Sequence, residues 1–116
     1  MRRRFNDMKL GVFTVLFGSK PLEEMLDYVV DLGIEAVEIG TGAYPGDAYC
    51  KPEELLASEK KLKALRQAIS RRGLVVSALS CHGNPIHPQK KRADAGHAAF
   101  LGTLQLAKKL GVESGI

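Results

Sequence analysis

Three glycines constrain this chain more than any other feature. Gly33, Gly73 and Gly111 each close a helix-patterned stretch and are followed at once by an apolar or β-branched residue: Leu-Gly-Ile at 32–34, Arg-Gly-Leu at 72–74 and Leu-Gly-Val at 110–112. They stand 40 and 38 residues apart. A glycine just past a helix takes up the left-handed conformation that ends it, so each marks a helix-to-strand joint. The period has room for one strand and one helix.

The segments between the glycines carry that alternation. MKLGVFTVLF, 8–17, is almost continuously apolar and predicts a strand covered on both faces. Pro21 then opens a helix over 21–32, where Glu23 and Glu24 suit the positive end of the dipole and Leu22, Met25, Leu26 and Val29 form a stripe for the core. AVEIG, 36–40, predicts the second strand, and the loop GTGAYPGDAYCKP, 40–52, follows it. Ser58 caps a helix with Leu62, Leu65 and Ile69 on one side, and LVVSALSC, 74–81, is the third strand. A last helix is expected over about 93–110, with Phe100, Leu104, Ala107 and Leu110 as its core stripe. Three strand–helix repeats predict an α/β fold with parallel strands. A doubly wound sheet and a (β/α)8 barrel both fit; a length of 116 residues favours the first, since a whole barrel needs roughly 250, and the pattern does not decide.

Composition limits the class further. With 45% hydrophobic and 26% charged residues, and no apolar run approaching the ~20 needed to span a bilayer, the sequence reads as one soluble globular domain without a membrane partner. The formal charge of +4 invites a nucleic-acid reading. Arg2, Arg3 and Arg4 with Lys90, Lys91 and Arg92 hold the excess, however, and the remaining body is close to neutral. A phosphate footprint needs charge along a face rather than two short patches, which argues against nucleic acid. Residues 1–7 are expected to be a solvated, disordered basic leader and 8–116 the domain. Cys50 and Cys81 fit neither a disulfide framework nor a zinc knuckle, and the leader makes a poor secretory signal, so a cytoplasmic setting is expected.

Two places carry chemistry. Glu38 is the one charge inside an apolar strand and needs a partner or water; with Ala36 and Gly40 it shares one strand face, near the carboxyl end where barrel active sites collect. In LSCHGNPIHP, 79–88, His82 ends the third strand, Gly83 frees the turn, and Pro85 and Pro88 stiffen it, so that His82 and Asn84 are expected to project from a firm loop and read sugar hydroxyls. His87 and His97 are expected at the surface. His82 by itself makes no metal site, and HGNPIH is no zinc spacing. Gly40, Gly42 and Gly46 miss the dinucleotide spacing GxGxxG by one residue and open no helix directly.

Taken together, MKLGVFTVLF, LGIEAVEIGTGAYPG and GLVVSALSCHGNPIHP resemble the opening of the sugar phosphate isomerase/epimerase family, the xylose isomerase-like barrels that also include zinc-dependent apurinic endonucleases. The resemblance runs from about Met8 to Val112. It implies the amino-terminal portion, about three βα units, of a (β/α)8 TIM barrel, with the helices on one side of the parallel strands. It implies a sugar or sugar phosphate as substrate, and a divalent metal, manganese, magnesium, cobalt or zinc, that polarises it while a proton moves next to the carbonyl. Glu38, His82 and Asn84 match substrate-side positions. The metal ligands belong to later strands, so no residue here is expected to bind metal in an isomerase; in the endonuclease branch His82 would. Alone, the chain is expected to be inactive and either to self-associate through its open strand edges and face or to stay loosely packed. A non-catalytic remnant or binding module is the alternative.

Overall fold

The computed structural model describes residues 8–44 and 46–113; the leader expected over 1–7 lies outside them. Chain order is β1 (Gly11–Phe13), a 3-10 turn (Thr14–Phe17), α1 (Leu22–Asp31), β2 (Ala36–Ala43), α2 (Pro52–Ala57), α3 (Glu59–Ser70), β3 (Val75–His82) and α4 (Lys90–Leu110). The strands form one parallel sheet in the order β1-β2-β3. The fold is therefore α/β, with a three-stranded parallel sheet and helices between and after its strands.

The three glycine joints adopt one geometry. Gly33, Gly73 and Gly111 have φ of 82°, 74° and 73°, where a side chain would be strained. After each of them the next residue's N–H reaches five residues back: Ile34 to the Val29 carbonyl at 3.2 Å, Leu74 to Ile69 at 3.3 Å, Val112 to Ala107 at 2.9 Å. The glycine N–H itself reaches three back, to Val30, Ser70 and Lys108. This pair of hydrogen bonds is the Schellman motif, and in each case the two residues that usually make its apolar contact belong to the core or pack against it. Ser58 caps α3 as expected, its hydroxyl accepting from the Lys61 N–H at 3.2 Å.

A single apolar core lies on one face of the sheet. Val37, Ile39 and Leu79 meet Met25, Leu26 and Val29 of α1, Leu62, Leu65 and Ile69 of α3, Leu55 of α2 and Leu106 of α4. The other face, with Gly11, Phe13, Ala36, Glu38, Val75 and Ser77, lines an open depression. Among the described residues, no helix is long and apolar enough to cross a membrane.

Four local expectations need correction. The first strand does not run from 8 to 17: it stops at Phe13, because the buried Thr14 turns its hydroxyl onto the Glu38 carbonyl (3.2 Å) and the following Val15 and Leu16 are exposed, with no burial to reward an extended chain. The second strand continues three residues past Gly40 to Ala43. The loop expected over 40–52 gives way at Pro52 to a further helix, α2, whose start is marked by Pro52 in its first turn with Glu53 and Glu54. Finally, α4 is rotated from the expected stripe: Thr103 and Leu106 are buried while Phe100 and Leu104 are about half exposed. Small residues explain the rotation, since Gly102 lies so near α2 that a Cβ would stand 3.4 Å from Pro52 Cβ, and Thr103 is drawn to the sheet by Thr41, the two hydroxyl oxygens 2.7 Å apart.

The β2–β3 ladder shifts register twice, between Val37 and Glu38 and between Gly40 and Gly42. The unpaired residues are Ser77 on β3 and Thr41 on β2, and each carries a hydroxyl that bonds a carbonyl of the other strand: Ser77 to Val37 and Thr41 to Ser80, both at 3.3 Å. A hydroxyl at a bulge thus replaces a ladder bond that the extra residue forfeits. Thr41→Val keeps the shape and removes the hydroxyl from a buried position, so it is expected to lower stability by about 1 to 3 kcal/mol, measured by urea unfolding with an unchanged m-value.

Candidate functional site

Glu38 is the third of the eight residues of β2, nearer the amino end than the carboxyl end expected for it because the strand runs on to Ala43; it is half-buried on the face away from the helices, and its carboxylate accepts a hydrogen bond from the hydroxyl of Ser80 on β3. Ser80 is completely buried. Among the described residues Glu38 forms no ion pair, so the partner that a carboxylate in an apolar strand requires is a neutral hydroxyl. The Glu38 backbone is fixed as well, its carbonyl taking the Thr14 hydroxyl. The carboxylate borders a depression of about 490 Å3 shared with Lys9, Phe13 and Ser77. A carboxylate held in place beside open space can accept a ligand hydroxyl or take up a proton.

His82 ends β3 and is exposed. Its N–H donates to the Tyr44 carbonyl at 2.8 Å, and its ring lies 6.3 Å from the Tyr44 ring at 45°. Ala43, just before, has a φ of 51°, the one non-glycine residue in the left-handed region among those described. Asn84 is exposed, but its side-chain oxygen is occupied: it accepts the Ile86 N–H at 3.1 Å, while the Asn84 carbonyl accepts from His87 at 3.2 Å. Asn84 therefore shapes the turn, with its amide donor and one lone pair of its oxygen left over. The three expected site residues separate accordingly. Glu38 joins Ser80 on the bare face, His82 joins Tyr44 at the strand end, and Asn84 joins His87 and Arg92 in a second depression beside α4. His97 is exposed as expected, whereas His87 is half-buried in that second depression.

Ser80 and Tyr44 were not singled out from the sequence. Ser80 stands two residues before His82, so strand alternation carried back from His82 would have put it on Glu38's face. Tyr44 had no such signal, because its pairing arises from the turn of the 40–52 segment. Among the described residues no group of three or more His, Cys, Asp or Glu gathers.

Both cysteines are buried and unpaired with one another. Burial, helped by the negative charge of Asp47, pushes the Cys50 thiol up to about 12. A nucleophilic role is disfavoured for such a thiol.

No family model matches the chain. It is similar to the uncharacterized protein YfiH of Bacillus subtilis (strain 168), with 36% identity over 109 residues that cover 91% of this chain and 34% of that protein. The chain thus spans about a third of the length of this relative.

Two outcomes are expected. At pH 8 the folded protein should leave Cys50 unalkylated by iodoacetamide over times that label an unfolded control, read by mass spectrometry; rapid labelling would contradict the burial. The same upward shift makes folding favour the protonated thiol, so its contribution is intact below the ordinary value of 9.0 and is lost as pH rises from there towards about 12. Second, a Cβ on Gly83 would lie 3.0 Å from Gly96 Cα, a contact with backbone that cannot swing aside. Gly83→Ala should therefore cost about 1 to 3 kcal/mol, measured by chemical denaturation.

Proposed function

We propose that the chain is the amino-terminal three-strand portion of a (β/α)8 barrel enzyme of the sugar phosphate isomerase/epimerase type, acting on a sugar or sugar phosphate. The observation that carries the reading is the Glu38–Ser80 pair on the bare face of a sheet whose other face holds all the apolar packing. In a closed barrel that bare face would be the interior, and a carboxylate there, steadied by a hydroxyl, would be suited to take the proton next to a sugar carbonyl or to hold a substrate hydroxyl. His82 and Tyr44, at the carboxyl ends of β3 and β2, would offer a rim for the rest of the sugar.

A divalent metal in such an enzyme would polarise the substrate carbonyl. The described residues do not fit a metal on their own: Glu38 is engaged by Ser80 and no donor cluster accompanies it among them. Its ligands, whether for manganese, magnesium, cobalt or zinc, are proposed to come from barrel strands other than these three. The two buried free thiols accord with the cytoplasmic setting that goes with the reading.

The test joins this chain to the remainder of the Bacillus protein in place of its matching third. The chimera is expected to exchange a carbon-bound hydrogen of a ketose, an aldose or one of their phosphates with deuterated solvent when a divalent metal is supplied, read by proton NMR. Glu38→Gln should lower the rate about 100-fold or more, and His82→Ala should raise KM by the roughly 1 to 3 kcal/mol of a lost hydrogen bond. A folded chimera that exchanges none of these sugars would overturn the proposal.

The chain by itself is proposed to self-associate. Among the described residues both outer strands, β1 and β3, have an unpaired edge, and Phe100, Leu101 and Leu104 leave apolar surface on α4. Sedimentation should show oligomers at micromolar concentration. A monomer with a single sharp calorimetric transition would show instead that the three units are self-sufficient.

A further inference from the structure

Where β3 hands over to α4, the chain encloses a cleft of about 310 Å3, apart from the Glu38 depression. Its walls are nearly free of side chains. Gly83 and Gly96 meet so closely that a Cβ on Gly96 would lie 3.2 Å from the Asn84 nitrogen, and Ala43, Ala95 and Ala99 complete the lining. Three polar side chains reach this space, those of Asn84, His87 and Arg92.

Hydrogen bonds already made decide what each of the three presents. One lone pair of Asn84 Oδ1 is held by the Ile86 N–H, which fixes the side chain, and its Nδ2 donor has no partner among the described residues. The Gln89 N–H donates to His87 Nδ1 at 3.0 Å, so the ring proton of the neutral imidazole is on Nε2, a second donor. Arg92 brings a guanidinium, which only donates, and it forms no ion pair among the described residues. Among the described residues, no carboxylate lines the cleft. Asp94, in the same first turns of α4 as Arg92, pairs instead with Lys90 at 2.6 Å, and both side chains are more than half exposed. A concave surface that offers donors, a fixed positive charge and, among the described residues, no carboxylate is complementary to a compact oxyanion.

We propose that this cleft is a phosphate site, and that it takes the phosphate group of a small phosphorylated sugar. The sugar part of the assignment rests on the proposed function above. The phosphate part rests on Asn84, His87 and Arg92 alone. Arg92 would grip two phosphate oxygens with its planar fork, and the neutral donors of Asn84 and His87 would fix the orientation. The Lys90–Lys91–Arg92 triplet, left over from the charge balance of the sequence, then has a local role: it raises the potential around one small site.

The experiment is a titration of the 116-residue chain, followed by amide chemical shifts, with inorganic phosphate, ribose 5-phosphate, ribose and a short single-stranded oligonucleotide. Ribose 5-phosphate and inorganic phosphate are expected to shift the amides of residues 83–96 saturably, and ribose should not. Arg92→Gln should weaken ribose 5-phosphate at least about tenfold. Lys108→Gln, which removes the same charge at the far end of α4, should change it less than about twofold. Equal weakening by the two variants would reduce the effect to diffuse attraction and overturn the site, as would the absence of a saturable shift. Tighter, Arg92-dependent binding of the oligonucleotide would overturn the sugar phosphate assignment in favour of a nucleic acid. Because no turnover is read, an inactive chimera with intact phosphate binding would sink the isomerase reading and leave the phosphate site standing.

Discussion

The left-handed glycine at each helix end is the constraint from which the other features follow. In α1 and α3 it stops the helix, directs Ile34 or Leu74 back onto the helix's own last turn, and releases the chain in an extended direction beside the previous strand. The strands consequently start level: the Glu35 N–H finds the Leu10 carbonyl at 2.8 Å and the Val75 N–H finds the Glu35 carbonyl at 3.1 Å. Parallel strands that start level also finish on the same side. That is why Ala43, His82 and the turn around Asn84 are neighbours although nearly forty residues of chain separate the first from the second.

The sheet these joints build is dressed on one face only, and the polar residues are distributed to suit. Val37, Ile39 and Leu79 point to the helices, where the hydroxyl pair of Thr41 and Thr103 is the main polar exception and is satisfied internally, Thr103 lying 2.9 Å from the Ala99 carbonyl. Glu38 and Ser80 lie on the bare side, where the carboxylate is only half-buried and its desolvation cost is correspondingly modest. The neutral hydroxyl partner leaves the carboxylate charge uncancelled, in contrast to the exposed pairs by which Arg72 bridges Glu23 and Asp27 of α1 and holds the Asp27 carboxyl below its usual value.

What was legible in the sequence was what local rules control. The three joints, the Ser58 cap, the stripes of α1 and α3 and the shared face of Ala36, Glu38 and Gly40 each depend on residues within a turn or two of one another. What was not legible depended on contacts across the fold. The first strand ends early because Thr14 meets Glu38, twenty-four residues away, and α4 turns Thr103 rather than Phe100 inward because Thr41 waits for it. Asn84 was visible as a polar residue in a stiff turn, but not that the turn itself would engage its oxygen. In β3 a strict alternation puts Val76 and Ala78 on one face. The structure separates them, with Val76 packed against the core and Ala78 opposite Glu38, because Ser77 is an extra residue between them.

The two bulges also determine where these strands could lose a residue. Without Ser77, the run Val75, Val76, Ala78, Leu79, Ser80 would alternate regularly and each side chain would keep its present face. The same holds on β2 if Thr41 is removed between Gly40 and Gly42. A gap at any paired position is different: it turns every later side chain to the opposite face, sending Leu79 into water and Ser80 into the oil. Length variation among relatives should therefore collect at 77, where the geometry of the sheet is indifferent to it, more than at 41, whose buried hydroxyl also holds Ser80 and Thr103, even though 77 lies inside a strand rather than in the loops that normally absorb insertions and deletions.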